Sequence, residues 1–239
     1  GDVSSVPLCD DQDAQRGTCP AASRVGHVQV AAGAGSSPLW VPQQGKAPTS
    51  VSLTRAYRGA PYGLSIVVPA QAGPFDLGTV VVRAGLHVDP RTGQVTAGVD
   101  ESRLYGRDGS LDEVIEGAMP RIVQGIVLDQ REIRVLVDRD DFLINPTDCT
   151  EQQITAQITG YQGGNTTAAS RFKVGDCARL PFQPKLALAV TGPRQVTTGK
   201  HPGVRAQVNQ TGIGEAGIEK AVVRLPKSLA LDPDNAQAL

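Results

Sequence analysis

The sequence predicts a mostly β protein built from antiparallel sheets, and three observations lead to that fold class. Short segments in which apolar and polar residues alternate recur along the 239-residue chain, and this period of two is typical of strands that are buried on one face. The 27 glycines and 17 prolines provide turns between these segments. Helical patterns are few and short. Together these features favour an antiparallel sandwich or barrel over an α/β fold.

Strands are predicted wherever this alternation is clear. Leu77–Val82 is nearly continuous in apolar residues and suits a strand buried on both faces, and the strand that begins at Tyr62 is expected to end at Pro69. The turn Asp89–Gly93 predicts a hairpin into the strand that begins at Val95. The ten predicted strands lie near residues 51–53, 62–68, 77–82, 95–99, 133–137, 154–158, 172–174, 186–190, 204–208 and 221–225.

Two short helices are predicted. Asp10–Arg16 opens with acidic residues, which suit the positive end of a helix dipole, and Gly17 ends it. Leu111–Glu116 is the second predicted helix, and it ends at Gly117.

A domain boundary is predicted at Pro181–Pro184, because two prolines so close together favour an extended linker. The first domain is expected to span residues 1–182 as a β-rich, disulfide-stapled sandwich or barrel. Residues 183–239 are expected to form a small immunoglobulin-like β domain with three strands. Three strands do not close a sandwich, so this domain either packs on the first one or takes its missing strands from a neighbouring copy.

The four cysteines form two local pairs in the sequence, Cys9 with Cys19 and Cys149 with Cys177. Four cysteines allow three pairings, and the local pairing closes the shortest loops. Free thiols and a zinc site are the alternatives, but neither spacing resembles the C-x₂-C pairs of structural zinc sites. Disulfides predict an oxidising compartment, and therefore an extracellular or cell-surface location.

Composition excludes several classes of partner. The net charge of −1 gives no electrostatic reason to expect nucleic acid or an anionic membrane surface as a partner. No apolar run approaches the length of about 18 residues that a membrane-spanning helix needs, so membrane insertion is not expected. Aromatic residues make up 4% of the chain, which argues against base-stacking platforms and aromatic-lined sugar clefts.

Several motifs with specific spacing resemble those of a known family. They are Cys9 with Gly17–Gly26, Tyr57–Leu64, Ala72–Gly78, Met119–Leu128, Arg131, Ile133, Val135, Asp138, Arg139, Phe142 and Asn145–Cys149. In these motifs, which span nearly the whole chain, the protein resembles large, uncharacterised secreted proteins common in actinobacteria and other soil and aquatic bacteria. In that family a module of this length recurs or sits beside immunoglobulin-like repeats. The resemblance implies an extracellular or surface-attached protein and transfers no catalytic residue.

The resemblance also bears on the end of the chain. In the family, a Leu-Pro-x-x-Leu segment is followed about ten residues later by a cysteine that opens the next Cys…Gly-x-Cys-Pro segment. Here the segment begins at Leu225, and the resemblance implies a module cut from a tandem array or built to meet a following copy. The residues expected to take part in assembly are Leu225, Pro226, Leu229, Leu231 and Leu239.

Acidic clusters are the main candidates for a cofactor site, and the cofactor would be calcium. Calcium binds carboxylate and carbonyl oxygens in loops, and the best candidates are Asp138, Asp140 and Asp141. None of the acidic clusters completes a twelve-residue calcium loop, so solvated turns are the alternative. Apart from calcium, no cofactor is expected.

Three other features have ordinary structural explanations. Ser170-x-x-Lys173 matches a nucleophile motif that requires a helix start, whereas here it lies in a predicted strand. His87 and Asp89 share one strand face without a third catalytic group. Trp40 is expected to fill a core or contact another module rather than bind a sugar.

The expected function is therefore structural. The chain is predicted to be an extracellular module of a bacterial surface protein or fibre that assembles head-to-tail. Its expected partners are copies of itself or adjacent modules, together with cell-envelope components. The first alternative is an adhesin that binds a glycan or protein through the loop 33–46, and the second is an enzyme.

Overall fold

The computed structural model describes residues 5–33, 36–117, 119–192, 194, 197–210 and 214–226. It divides the chain into two compact units, Gly1–Ile144 and Asn145–Leu239. The predicted boundary at Pro181–Pro184 lies inside the second unit, between its two hairpins. The fold class is the predicted one: the protein is mostly β, its sheets are antiparallel and its helices are few and short.

The first unit is built around one antiparallel sheet that curls into a half-barrel. The order of its main strands is β10-β1-β3-β4-β5-β6-β7, and β2 pairs with part of β1. Strands β8 and β9 form a small separate hairpin. The strands are β1 Arg24–Gly33, β2 Leu39–Val41, β3 Ser50–Thr54, β4 Tyr62–Ala72, β5 Phe75–Val88, β6 Val95–Tyr105, β7 Leu111–Glu116, β8 Ile122–Val123, β9 Ile126–Val127 and β10 Asp129–Val137.

The core of the first unit includes two clusters of buried aliphatic side chains. One group packs around Leu53 and consists of Val6, Val25, Val28, Val51 and Leu53. The other packs Val80 and Val82 of β5 against Leu104 and Val123. Because alternate residues of a strand point to the same face, these strands supply one apolar face each to a shared interior.

The predicted helix at the start of the chain is confirmed as α1, Asp11–Arg16. The Asp10 side chain accepts a hydrogen bond from the Asp13 amide at 3.0 Å, which is the expected cap at a helix N-terminus. Gly17 ends the helix with φ of 75°, and a Cβ at this position would lie 2.9 Å from Val81 Cγ2. Glycine is therefore required here both by the backbone conformation and by packing.

Two local predictions for the first unit are wrong. Leu111–Glu116 is not a helix but strand β7, which pairs antiparallel with β6 from Glu101 to Tyr105. The hydrogen bonds offered by the neighbouring strand outweigh a weak helical pattern of six residues. Strand β4 does not end at Pro69 but continues to Ala72, and an irregularity in its pairing with β5 falls between Pro69 and Gln71. The missing proline N–H is accommodated at this irregularity.

The second unit contains two separate antiparallel hairpins. Strands β11 Gln152–Thr159 and β12 Asn165–Phe172 form one, and β13 Lys185–Thr191 and β14 Gly203–Asn209 form the other. The strand predicted near 221–225 is not formed: residues 217–226 have no regular secondary structure. A strand needs a partner edge, and no described strand pairs with this segment.

Candidate functional site

The Cys9–Cys19 disulfide fixes helix α1 to the sheet of the first unit. The two Sγ atoms are 2.03 Å apart, and Cys9 is fully buried. The Cys9 amide donates to Leu53 O at 3.0 Å, and the Arg55 amide donates to Cys9 O at 3.1 Å. The disulfide therefore joins α1 to a segment that already pairs with the end of β3.

Arg83 of β5 is a fully buried cation beneath the same helix. Its guanidinium pairs with Asp11 Oδ1 at 3.1 Å, donates to Leu64 O at 3.3 Å and lies 4.2 Å from the centre of the Tyr57 ring. A buried charge is tolerated when it is paired and hydrogen-bonded. These contacts give Arg83 a structural role, because they connect α1, β4 and β5.

Tyr57 belongs to a second cluster of charges in the first unit. Its side chain is 8% exposed, and burial, followed by the negative charge of Glu101, raises the pKa of Tyr57 to about 12. Arg58 pairs with Glu101 at 2.8 Å and with Glu116 at 2.7 Å, and Arg103 also pairs with Glu101. Each carboxylate is neutralised by a guanidinium, which is the arrangement of a structural ion network.

The calcium candidates lie where the first unit ends, and one of them has a defined partner. Asp138 Oδ2 is 2.8 Å from His27 Nδ1, and Arg139 donates to the carbonyl oxygens of Ala22 and Arg24. Asp141 adopts a positive φ of 59°. Within the described residues, no group of three or more His, Cys, Asp or Glu side chains is arranged to hold a metal ion.

The other residues singled out in the sequence lie apart from one another. Ser170 is in β12 opposite Ile154, and Lys173 lies just beyond that strand. His87 is in β5, whereas Asp89 lies in the following turn, where backbone hydrogen bonds from Thr92 and Arg91 lower the pKa of the Asp89 carboxyl. No catalytic arrangement joins these side chains.

Trp40 is partly buried in β2 of the first unit. The Arg134 guanidinium lies 4.4 Å from the centre of its ring, within the range of a cation–π contact. The contact links β2 to β10, on opposite sides of β1. It gives Trp40 an anchoring role within the first unit.

The β13–β14 hairpin of the second unit has one apolar face. Leu186, Leu188 and Val190 lie directly opposite Val208, Ala206 and Val204, so that all six side chains share one face. The five leucines and valines of this face are between 39 and 60% exposed. We call this surface, formed by Leu186, Leu188, Val190, Val204, Ala206 and Val208, the apolar hairpin face.

The β11–β12 hairpin is closed by the second disulfide. Cys149 precedes β11 and Cys177 follows β12, with their Sγ atoms 2.01 Å apart. One face of this hairpin carries Ile154, Ala156, Ile158 and Phe172, and its three large side chains are again exposed. The disulfide holds the open end of the hairpin together where no buried core does.

The residues expected to take part in assembly are only partly described. Leu225 is exposed and Pro226 follows it in an irregular segment. Leu229, Leu231 and Leu239 lie outside the described residues.

Sequence reasoning missed an apolar cavity in the first unit. It measures about 230 Å³ and lies against the side chains of β1, β4, β5 and β10. Alternation within each strand indicates which residues share a face, but the curl of the sheet decides which faces surround one space. The cavity therefore becomes visible only in three dimensions.

Comparison of the chain with family models, curated proteins and solved structures found no significant match. The role of each surface is therefore inferred from its geometry and chemistry. Both disulfides indicate an oxidising environment. Among the described residues, every helix is too short and too polar to cross a bilayer.

Proposed function

We propose that the chain is an extracellular structural module of a bacterial surface protein or fibre. In this proposal the second unit is an incomplete immunoglobulin-like domain that a neighbouring copy completes. The observation that supports it is the apolar hairpin face, whose five large aliphatic side chains are 39 to 60% exposed.

An isolated two-stranded hairpin is at best marginally stable in water, and it gains independent stability when a further strand or layer covers its apolar face. Covering the remaining exposed area of each of these side chains contributes roughly 1 kcal/mol. Five such contributions, on the order of 5 kcal/mol before the entropy of association, are a substantial driving force. The alternation in β13 and β14 is therefore explained by burial in an assembly.

The proposed occupant is the segment Ala221–Leu225 of the adjacent copy. This segment has the composition of a strand, yet within the described part of the chain it pairs with none. Its Val222, Val223 and Leu225 side chains are exposed. Addition of this strand to a hairpin edge satisfies the backbone N–H and C=O groups of the strand and widens the apolar hairpin face. The copy that donates the strand then packs against this face and supplies the covering layer.

Such a contact joins two different surfaces of the same chain, so it is heterologous and repeats in one direction. Head-to-tail assembly follows, either between separate chains or between consecutive modules of one polypeptide. The surface location is part of the same proposal. It is supported by the disulfides, and it agrees with the resemblance of the sequence motifs to those of secreted actinobacterial proteins. Cell-envelope components are the proposed surroundings of the assembly.

The test is a pair of lysine substitutions in one strand. Leu188→Lys places a charge in the apolar hairpin face, whereas Ala187→Lys places the same charge on the opposite face of β13. Sedimentation velocity of the full chain over a wide concentration range should show elongated oligomers of the unmodified protein. Leu188→Lys should weaken association at least tenfold, and Ala187→Lys should leave it nearly unchanged.

A chain that stays monomeric at the highest soluble concentration contradicts the proposal. So does equal weakening by the two substitutions, because that result traces association to charge rather than to the apolar hairpin face. Deletion of residues 221–239 supplies an independent check, because the shortened chain keeps the apolar hairpin face but lacks the donated strand. It should stay monomeric alone, and in large excess it should limit the full chain to dimers.

A further inference from the structure

We propose that the first unit binds one aliphatic chain of an amphiphile, such as an acyl tail, inside its curled sheet. The cavity of about 230 Å³ is formed entirely by residues of this unit. The inference is therefore independent of the assembly proposed for the second unit.

The walls of the cavity come mainly from two pairs of neighbouring strands, β10 with β1 and β4 with β5, which β3 separates in the sheet. Val28 and Val30 of β1, Val68 of β4, and Val80 and Val82 of β5 all line it. Register explains how they meet: Val28 lies opposite Val135, Val68 lies opposite Val80, and Ile66 lies opposite Val82. The curl of the sheet then brings these faces around one space.

A short segment closes part of this space. The segment that contains the β8–β9 hairpin also lines the cavity, through Met119, Pro120, Val123 and Leu128. This segment is held in place by backbone pairing, since the Leu128 amide donates to Arg121 O at 2.7 Å. The aliphatic lining therefore continues from the sheet onto the segment that faces it.

The chemistry of the lining favours hydrocarbon over any polar ligand. Gln130 is the one polar side chain among the lining residues, and none of them is charged or aromatic. The side-chain amide of Gln130 (Nε2) already donates a hydrogen bond to Pro120 O at 2.6 Å. A buried water needs two to four polar partners, and an aliphatic cavity of about 150 Å³ is known to exclude water and to accept a small hydrocarbon. The present cavity is about half as large again.

The opening of the cavity favours a chain that carries a polar end. Three lining residues, Ile133 and Val135 of β10 and Val99 of β6, remain 39 to 51% exposed. The cavity therefore meets solvent beside these strands. An aliphatic chain can enter there without unfolding the sheet, and a head group attached to it can remain in water.

The experiment measures binding of a series of straight-chain alcohols, from 1-hexanol to 1-tetradecanol, to the full disulfide-bonded chain by calorimetry below their solubility limits. Sodium dodecanoate is added to test the effect of the head group. We expect one site per chain and an affinity that rises about fourfold per methylene. The rise should stop once the cavity is filled, and dodecanoate and 1-dodecanol should bind with similar affinity.

Two substitutions fill the cavity from different strands. Ala32→Leu in β1 and Ala70→Leu in β4 both add volume at lining positions. Each should weaken binding of 1-dodecanol at least tenfold while the far-ultraviolet circular dichroism stays unchanged. Ala169→Leu is the matched control, because it makes the same change at an exposed position of β12.

Several outcomes overturn the proposal. They are the absence of saturable binding across the alcohol series, an affinity that rises without limit as for adsorption to a surface, and equal binding by the filled and control variants. If the filled variants instead change self-association and no alcohol binds, this face is a contact between copies and the ligand proposal is wrong. If a filled variant fails to fold, the alcohol series on the unmodified chain still tests the proposal, because saturable binding with a limiting chain length is expected there.

Discussion

The two units of the chain share one local pattern but bury it to different extents. In the first unit, alternating strands meet in a curled sheet, and residues such as Leu53 and Val81 are almost fully buried. In the second unit, equally regular strands carry Leu186 and Ile154 on exposed faces, and none of its described residues is buried. Alternation within a strand thus specifies a face that is suited to burial. Whether that face is buried depends on a second layer, which other elements of the fold or another molecule must supply.

The largest expected effect compares two leucines in strands. Leu53 is 1% exposed and Leu188 is 47% exposed. Leu53→Ala should lower the free energy of unfolding by about 2–5 kcal/mol, because it removes buried methyl groups and leaves a cavity. At low protein concentration, Leu188→Ala should change it by less than about 0.5 kcal/mol. Denaturant unfolding followed by fluorescence and circular dichroism measures both.

The same pair of variants also tests the proposed assembly. At concentrations where the full chain associates, Leu188→Ala should become destabilising, whereas the effect of Leu53→Ala should not depend on concentration. Equal effects of the two substitutions in the dilute chain contradict the contrast between the units.

The two disulfides should differ in what their loss destabilises. Closure of the Cys9–Cys19 loop, with a separation of 10 residues, contributes about 3 kcal/mol in a chain-entropy treatment. Replacing both cysteines by alanine should therefore lower the melting temperature of the cooperative transition of the first unit. Replacing Cys149 and Cys177 should leave that transition in place and make the β11–β12 hairpin more sensitive to proteases, because little burial holds it otherwise.

Scanning calorimetry and limited proteolysis with mass spectrometry measure these two effects separately. A single transition that shifts equally in both double variants would show that the two units unfold together and that the disulfides do not act on them separately.

Burial in the first unit should also alter a titration. The folded pKa of Tyr57 is about 12, above the ordinary value of 10.0. A raised pKa means that the fold favours the neutral phenol, so this contribution to stability is complete below pH 10 and is lost as the pH rises from 10 to about 12. Absorbance at 295 nm should show one tyrosine that titrates near pH 12, and Tyr57→Phe should remove that phase. A phase that persists in Tyr57→Phe contradicts the assignment.

The smallest expected difference between the units is in the pKa values of two aspartates, Asp89 and Asp148, which lie in exposed turns, one in each unit. Hydrogen bonds from the backbone amides of Thr92 and Arg91 lower the pKa of Asp89, and hydrogen bonds from the side chain and amide of Thr150 lower the pKa of Asp148. Because both folded pKa values are depressed, the stabilisation is present above the ordinary value and is lost as the pH falls through the folded pKa. Carboxyl chemical shifts measured by NMR should place both below 3.8.

The two turns test whether the units differ only in burial. The hydrogen bonds that lower both pKa values lie within each turn, so they do not require a buried core. A pKa above 3.8 for Asp148 alone would show that the turns of the second unit are less well formed than those of the first.

Much of the local structure could be predicted from the sequence. The alternation around Ile133, Ile154, Leu186 and Val204 correctly indicated strands β10, β11, β13 and β14, because a period of two needs no knowledge of distant residues. Asp10 and Gly17 likewise bounded α1 through their own side-chain and backbone properties. Both kinds of signal depend on neighbours in the chain.

Features that depend on distant residues could not be predicted. Leu111–Glu116 became a strand because the edge of β6 was available to it, and residues 221–225 did not, because no described strand pairs with them. The buried position of Arg83 could not be predicted either, since its partner Asp11 lies 72 residues away in the sequence. Similarly, the cavity requires the register of β1, β4, β5 and β10 together.

The charges on the two edge strands of the curled sheet affect which surfaces of the protein can associate. Strand β7 carries Asp112 and Glu113 along one open edge, and β10 alternates charges of both signs along the other. Two acidic β7 edges repel when they approach each other, and charged edges resist the sheet-to-sheet pairing that leads to aggregation. In the proposed assembly, the charged edges would therefore disfavour pairing between first units, which is consistent with contacts that involve the second unit.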